Sequence, residues 1–342
     1  MRETMKPRAR DLKIQFGQLQ PGPLNAITDV PGVRVGHSDV RGRTAGGRDI
    51  NTGVTLIEPR VGSTTEQPCF AGVHILNGNG DATGLEWIRE AGLLTSPIAF
   101  TNTHSVGVVR DALIALDRQN QPADGRLYWN MPVVLETFDG LLNDINGFHV
   151  RPEHVAEALD RARSGPVAEG AVGGGSGMIC HEYKGGIGTA SRRLSAAQGG
   201  WTVGAIVQAN HGTRRELRVD GYPVGRYMEK ATSPFLRADL PHPGMGSIVV
   251  CLATDAPLLP HQCTRLAQRA SIGIARTGGG NEDCSGDIFI AFSTGNQQIE
   301  ATAYERKGAF TCDGLRMVNN DHIGDLFLAA SEAVEEAIIN AL

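Results

Sequence analysis

The sequence holds few aromatic residues, 5% of 342 positions, and nowhere approaches the ~18 consecutive apolar residues of a membrane-spanning helix. No membrane partner is expected. Its six cysteines (Cys69, Cys180, Cys251, Cys263, Cys284, Cys312) include no CxxC pair, so a disulfide framework or a zinc ribbon is not expected. Buried, reduced thiols in a cytoplasmic chain are the expectation. The basic N-terminal stretch lacks the apolar region of a secretory signal. A basic excess is also missing: 32 Lys and Arg against 37 Asp and Glu leave a net charge of −5, so nucleic acid is not expected as a partner.

The familiar chemical motifs are absent too. No GxxxxGK[ST] phosphate loop occurs, and Gly78 to Gly84 (GNGDATG) misses GxGxxG by one residue. No GxSxG elbow offers a nucleophile. Neither HxH nor HExxH is present, and the adjacent Cys180 and His181 make a poor metal clamp because side chains at i and i+1 diverge. A single histidine such as His104 or His211 reads as a hydrogen-bonded structural residue.

What the chain has in excess is glycine, 44 residues, nearly twice the usual ~7%. With no Gly-X-Y period, the glycines serve individual turns and close approaches. Hydrophobic residues make up 41%, enough for a sizeable core. Short β-branched runs predict strands at Val30–Val35, Val54–Ile57, Ala71–Leu76, Pro97–Thr101, Thr202–Gln208, Ser247–Asp255 and Asp287–Ser293. Helical spacing predicts helices over Ala82–Leu94, Ser105–Leu116 (Ser105 as N-cap), Pro152–Arg163 and Pro260–Arg276, and a C-terminal helix with one apolar stripe from Ile323 to Ile338. Asp220-Gly221 predicts a hairpin within Glu216–Val224, and prolines and glycines predict an irregular loop over Lys230–Gly246. No linker divides the chain, so a single α/β or α+β layered domain is expected.

Three polar features could carry chemistry. Gly246-Ser247 stands where the irregular loop meets a buried strand, although a serine there is usually just the first strand residue. Glu136, Asp139 and Asp144 follow the apolar MPVVL, which alone reads as a solvated acidic loop. Thr277 to Asp287 (TGGGNEDCSGD) links a helix to a strand, where functional groups are often held.

Taken in order, several blocks resemble the DmpA-like aminopeptidases, or P1 peptidases, which include the β-peptidyl aminopeptidases. These blocks are NAITDVPGVRVGH from Asn25, NTGVT from Asn51, NGNGDATGLEWI from Asn77, TNTHSVG from Thr101, PVVLETFDGLLND from Pro132, VGGGSGM from Val172, YKGGIGTASR from Tyr183, VQANHG from Val207, GMGSIVVCLATDAPLLPHQ from Gly244 and SGDIFIAFSTGN from Ser285. The resemblance implies an α-β-β-α sandwich like that of N-terminal-nucleophile hydrolases, with different strand connectivity. It also implies a chain that cuts itself between Gly246 and Ser247, giving fragments 1–246 and 247–342. Glycine at 246 would permit a strained backbone with an open carbonyl. The freed α-amine, with an unperturbed pKa of about 7.7–8.0, would serve Ser247 as its own general base.

By the same resemblance Asn210 matches an oxyanion-site asparagine, Glu136 a carboxylate for the substrate's ammonium, and Ser285 and Asp287 a group that positions the nucleophile. Phe138 stands where some members carry tyrosine and others leucine, so a side-chain hydroxyl role is lost there and only the main chain can contribute. The implied activity is hydrolysis of amides or esters of small N-terminal amino acids through an acyl-enzyme on Ser247, with the choice among L-, D- and β-residues left open. No metal or organic cofactor is implied, the partner is a small peptide or amino-acid amide or ester, and the family assembles as homo-oligomers, typically tetramers. An acyltransferase of the ornithine acetyltransferase type, which uses threonine, and an uncut non-catalytic binding protein are the alternatives.

Overall fold

The computed structural model describes residues 6–121, 127–228, 246–299 and 314–342. The expected loop up to residue 245 and Cys312 lie outside the described residues. The first half runs β1 (Arg34–Arg43), β2 (Asp49–Glu58), β3 (Cys69–Gly78), α1 (Leu85–Ala91), β4 (Leu93–Leu94), β5 (Ile98–Asn102), α2 (Val106–Asn120), β6 (Val133–Thr137) and α3 (Pro152–Asp160). Then come β7 (Ile179–Cys180), β8 (Tyr183–Lys184), β9 (Gly186–Arg193), β10 (Thr202–Asn210) and α4 (Val224–Met228). The last part holds β11 (Ser247–Thr254), α5 (Pro260–Ala267), α6 (Ala270–Thr277), β12 (Gly286–Ser293) and α7 (Gly324–Ala341).

The strands form a four-stranded sheet, β1-β2-β5-β6, and a six-stranded sheet, β4-β3-β12-β11-β10-β9. Both are mixed: β5 with β6 and β11 with β12 run parallel, and the other pairs antiparallel. The apolar run of β11 has the period-two logic of a strand buried on both faces. Ile248, Val250 and Leu252 pack with Leu266, Ile274, Leu326 and Val334 of the C-terminal helices. The alternate residues Val249, Cys251 and Ala253 pack with Ile57, Phe100 and Leu135 of the other sheet. A third cluster joins Val54, Leu56 and Ala99 to Val106, Val109 and Val155 of α2 and α3. The result is four layers, helix, sheet, sheet, helix, as the resemblance implied.

Several local expectations shift. The strand foreseen at Val30–Val35 starts at Arg34, after a 3-10 turn at Ile27–Asp29. The helix foreseen to Leu94 stops at Ala91, because Gly92 turns left-handed (φ 70°) and sends Leu93–Leu94 into the sheet. Ser105 makes no capping hydrogen bond; its backbone is already helical, at φ −107° and ψ −1°. Asp220 and Gly221 do form a tight turn with positive φ, but it closes only the bridge Val219↔Tyr222 before α4, so no hairpin of strands follows. The helix foreseen over Pro260–Arg276 is two, broken at Gln268-Arg269. Strand β9 emerges from a glycine-rich stretch with little β signal, held between β10 and helix α7. Here tertiary packing overrides local propensity.

Helix α7 is buried well beyond one stripe. Its Glu332 and Glu336 meet Arg192 of β9, whose side chain is fully buried, at 3.0 and 2.8 Å. Arg192 also donates to the carbonyls of Ser191 and Phe16, and Arg10 pairs with Glu336 at 2.9 Å. Removing one partner of such a network leaves buried charge uncompensated. Arg192→Met is expected to destabilise the fold by about 3–5 kcal/mol. Urea unfolding of the variant and the parent measures this, and an unchanged midpoint would contradict it.

Candidate active site

Three neighbouring strands of the larger sheet end at one place. The antiparallel register of β10 and β11 sets Asn210 opposite Ser247, and the parallel register of β11 and β12 sets Asp287 opposite Ile248. A register shift between Asp287 and Ile288 marks an irregularity in the pairing of β12 with β3. Asn210, Ser247, Ser285 and Asp287, expected apart in sequence, are therefore brought together and buried.

Around Ser247 the hydrogen bonds are directional. The backbone N–H of Gly286 donates to Ser247 Oγ at 3.0 Å. Asp287 Oδ1 accepts from Ser285 Oγ at 2.6 Å and from the N–H of Ile248 at 3.3 Å. Asn77 Nδ2 donates to Asp287 Oδ2 at 2.9 Å. Burial pushes the Asp287 carboxyl above its ordinary range, and the bonds from Ser285, Asn77 and Ile248 pull it back in part. Asp287, braced by Ser285, thus holds the backbone N–H beside Ser247, and neither side chain hydrogen-bonds the Ser247 hydroxyl.

Gly246 is fixed by crowding. A Cβ there would lie 1.7 Å from the Asn210 carbonyl oxygen. Its φ is not in the left-handed region, so close approach of β10, and not the backbone strain expected from the sequence, demands glycine. The Asn210 carboxamide is oriented from both ends. Its Oδ1 accepts from the N–H of Ile179 at 2.7 Å, and its Nδ2 donates to the Phe138 carbonyl at 2.8 Å. The second N–H has no partner among the described residues and remains for another oxygen. Phe138 contributes through its main chain, while its ring stays partly exposed over Gly140.

The solvated acidic loop fails as a reading for Glu136 and Asp139, while Asp144 stays partly exposed. Glu136 is 3% exposed and Asp139 fully buried. Glu136 accepts from the N–H of Asp81 at 2.9 Å and from Thr103 Oγ1 at 2.5 Å. Burial still raises it above the usual glutamate range. Burial likewise pushes Asp139 up to about 6, against the bonds from Asn143, Thr52 and Asn102. Glu136 reaches the surroundings of Ser247 through Gly80, where a Cβ would lie 3.0 Å from Glu136 Oε1 and 3.4 Å from the Gly286 Cα. The site therefore includes Asn77, Gly80, Asp81 and Thr103, to which the sequence assigned no role. Their signal lay in the blocks from Asn77 and Thr101.

The thiols Cys69, Cys180, Cys251 and Cys263 are buried and unpaired, and Cys284 is partly exposed. Cys180 and His181, set aside because neighbouring side chains diverge, do converge with His211: one ligating atom of each lies within 4.8 Å of the others. A tight turn makes this possible, since His181 and Glu182 both have positive φ, 47° and 61°. Burial keeps both rings neutral, pushing His181 down to about 4 and His211 well below the ordinary value, with the other ring's charge a lesser cause at His211.

No helix among the described residues is long and apolar enough to cross a membrane. The family model of peptidase family S58 matches residues 25–342. A β-peptidyl aminopeptidase BapA of Sphingosinicella microcystinivorans is 46% identical over 98% of this chain and 85% of its own. Among solved structures, a β-aminopeptidase of Burkholderia sp. is 66% identical with a TM-score of 0.92, covering 98% of this chain and 91% of that one. The L-aminopeptidase D-Ala-esterase/amidase of Ochrobactrum anthropi, a prototype of the serine aminopeptidases and a variant of the Ntn hydrolase fold, is 46% identical with a TM-score of 0.88, covering 98% and 90%. The chain belongs to peptidase family S58 and is an aminopeptidase of the serine, Ntn-hydrolase type.

Proposed function

We propose that Ser247 is the nucleophile, first of self-cleavage and then of aminopeptidase turnover. The observation that carries this reading is the meeting at one sheet end of the Ser247 hydroxyl, a backbone N–H aimed at it and a carboxamide N–H left over. In the uncut chain Ser247 Oγ attacks the Gly246 carbonyl, the C–N bond breaks, and water hydrolyses the resulting ester. Fragments 1–246 and 247–342 stay together through β10, β11 and β12, and Ser247 gains a free α-amine. During turnover that amine takes the hydroxyl proton as Oγ attacks the substrate carbonyl. The Gly286 N–H steadies the negative charge developing on Oγ. Asn210 Nδ2 donates to the tetrahedral oxyanion. The leaving amine is protonated by the Ser247 ammonium, and water then releases the acyl group.

Glu136 receives the substrate's ammonium. Its buried carboxylate lacks a cation among the described residues, its only donors being Asp81 N–H and Thr103 Oγ1. A free N-terminus supplies that charge, whereas a blocked one leaves a desolvated carboxylate unpaired. The relatives' β-peptidyl activity favours substrates with an N-terminal β-amino acid, with amides and esters of small D- or L-residues as further candidates. A homo-oligomer of cut protomers in the cytoplasm completes the reading. The oligomer is supported by the exposed Tyr222, Tyr227 and Met228 around α4.

The ammonium role has a pH signature. Glu136 must be ionised to pair, and its raised pKa means that pairing is lost as pH falls through a value above the ordinary glutamate range. KM for a free amino-acid p-nitroanilide should therefore rise toward acid pH. Glu136→Gln should raise KM at neutral pH about 10- to 100-fold, as expected for losing one buried charge pair, and flatten this limb. Steady-state kinetics with free and N-acetylated substrates test it. Equal turnover of both by the parent enzyme would overturn the assignment.

A further inference from the structure

Behind Asn210 lies a side-chain cluster that the proposed chemistry does not use. We propose that Cys180 Sγ, His181 Nε2 and a ring nitrogen of His211 form a site for one thiophilic transition-metal ion, zinc by chemical class, which pins the two segments that hold the Asn210 carboxamide.

Four observations carry it. The three donors already lie within 4.8 Å of one another, and Cys180 Sγ is 3.9 Å from His211 Nδ1. Zinc with bonds of about 2.3 Å to sulfur and 2.0–2.1 Å to nitrogen needs donors roughly 3.3–3.6 Å apart, a contraction of at most about 1.5 Å. Second, His181 Nε2 is buried without a hydrogen-bond partner among the described residues. Such orphaned groups are costly to bury in a folded protein. Third, His181 Nδ1 lies 3.0 Å from the Thr213 carbonyl. A carbonyl only accepts, so Nδ1 carries the hydrogen and Nε2 presents its lone pair, the usual support of a metal-bound imidazole. Fourth, His181 takes its inward direction from a left-handed backbone that glycine or asparagine would occupy more easily.

The frame is also pre-set. The N–H of His181 donates to the His211 carbonyl at 2.7 Å, so main-chain bonding and not side-chain chance holds the donors together. Binding displaces the thiol proton to solvent and leaves a metal–thiolate bond, with no change of oxidation state. Three protein donors leave the fourth position to water. The link to Asn210 is short: Ile179, which donates to Asn210 Oδ1, precedes Cys180, and His211 follows Asn210.

The donors are closed off from solvent, so the ion enters most readily as the chain folds. The full-length protein is therefore produced in cobalt-supplemented minimal medium, with Co²⁺ as the spectroscopic probe. One cobalt per protomer and a thiolate-to-cobalt charge-transfer band are expected, together with a higher melting temperature than the metal-free protein. The band should disappear in Cys180→Ser, weaken in His181→Gln, and survive in Cys284→Ser. A folded parent protein without the band overturns the site, whatever the variants do. A band that persists in Cys180→Ser overturns it as well.

Discussion

Ser247→Ala is expected to give a single uncut chain and a loss of turnover of about a millionfold. Both losses have one origin. Without the hydroxyl no ester can form with Gly246, so no cut occurs and no α-amine is released to act as base. The magnitude follows serine hydrolases in which removing the nucleophile costs about 10⁶ in kcat, because the remaining groups cannot work without it. The fold should persist. Among the described residues Ser247 Oγ accepts one hydrogen bond, from the Gly286 N–H, and leaving that donor unpaired costs about 1–3 kcal/mol. Circular dichroism of the variant should match the parent, and a denaturing gel with a p-nitroanilide assay reads the two losses together. Cleavage persisting in Ser247→Ala would contradict the hydroxyl's role.

Asn210→Ala has the second largest expected effect, a fall in kcat of about 10²- to 10³-fold, the usual cost of one oxyanion donor. KM should change little, since the leftover N–H is needed when the oxyanion develops and not for the ground state. Asn210→Asp separates the donor from the scaffold. Aspartate keeps an oxygen for the Ile179 N–H but cannot donate to an oxyanion and adds repulsion, so it should be no better than alanine. A purely structural asparagine would give the opposite order, with aspartate rescuing activity along with the Ile179 bond. Steady-state kinetics of both variants, with melting temperatures, distinguish the cases.

Much of this architecture was legible in the residues. The apolar runs of β11 and β12 announced strands, and the structure buries both of their faces between the layers. Ser247, Glu136 and the Thr277–Asp287 stretch stood out as polar features, but their roles and that of Asn210 were legible only through the family blocks, since nothing in spacing alone brings residues 210, 247 and 287 together. Strand register does that, and register is a tertiary property. The same limit hid Asn77, Gly80, Asp81 and Thr103, whose roles are to fix or space other groups. It also hid the Cys180, His181 and His211 cluster, where a rare backbone conformation defeats the rule that adjacent side chains diverge. Helix α7 was legible only in its apolar stripe; Glu332 and Glu336 beyond it serve Arg192 and Arg10.

The glycine excess also gained a sharper meaning at residue 246. Local sequence suggested a strained turn, whereas the packing shows a backbone so close to the Asn210 carbonyl that no side chain fits. The same contact sets the Gly246–Ser247 bond beside the carboxamide, 3.3 Å from the Gly246 Cβ position to Asn210 Nδ2. On the proposed reading, self-cleavage and turnover would draw on one set of groups.

The central claim is tested most directly by intact-mass measurement and N-terminal sequencing of the purified, active protein. Two fragments of roughly 26 and 10 kDa, scaled by residue number, are predicted, the smaller beginning Ser-Ile-Val-Val-Cys at Ser247. A fully active preparation consisting only of the uncut chain would contradict it.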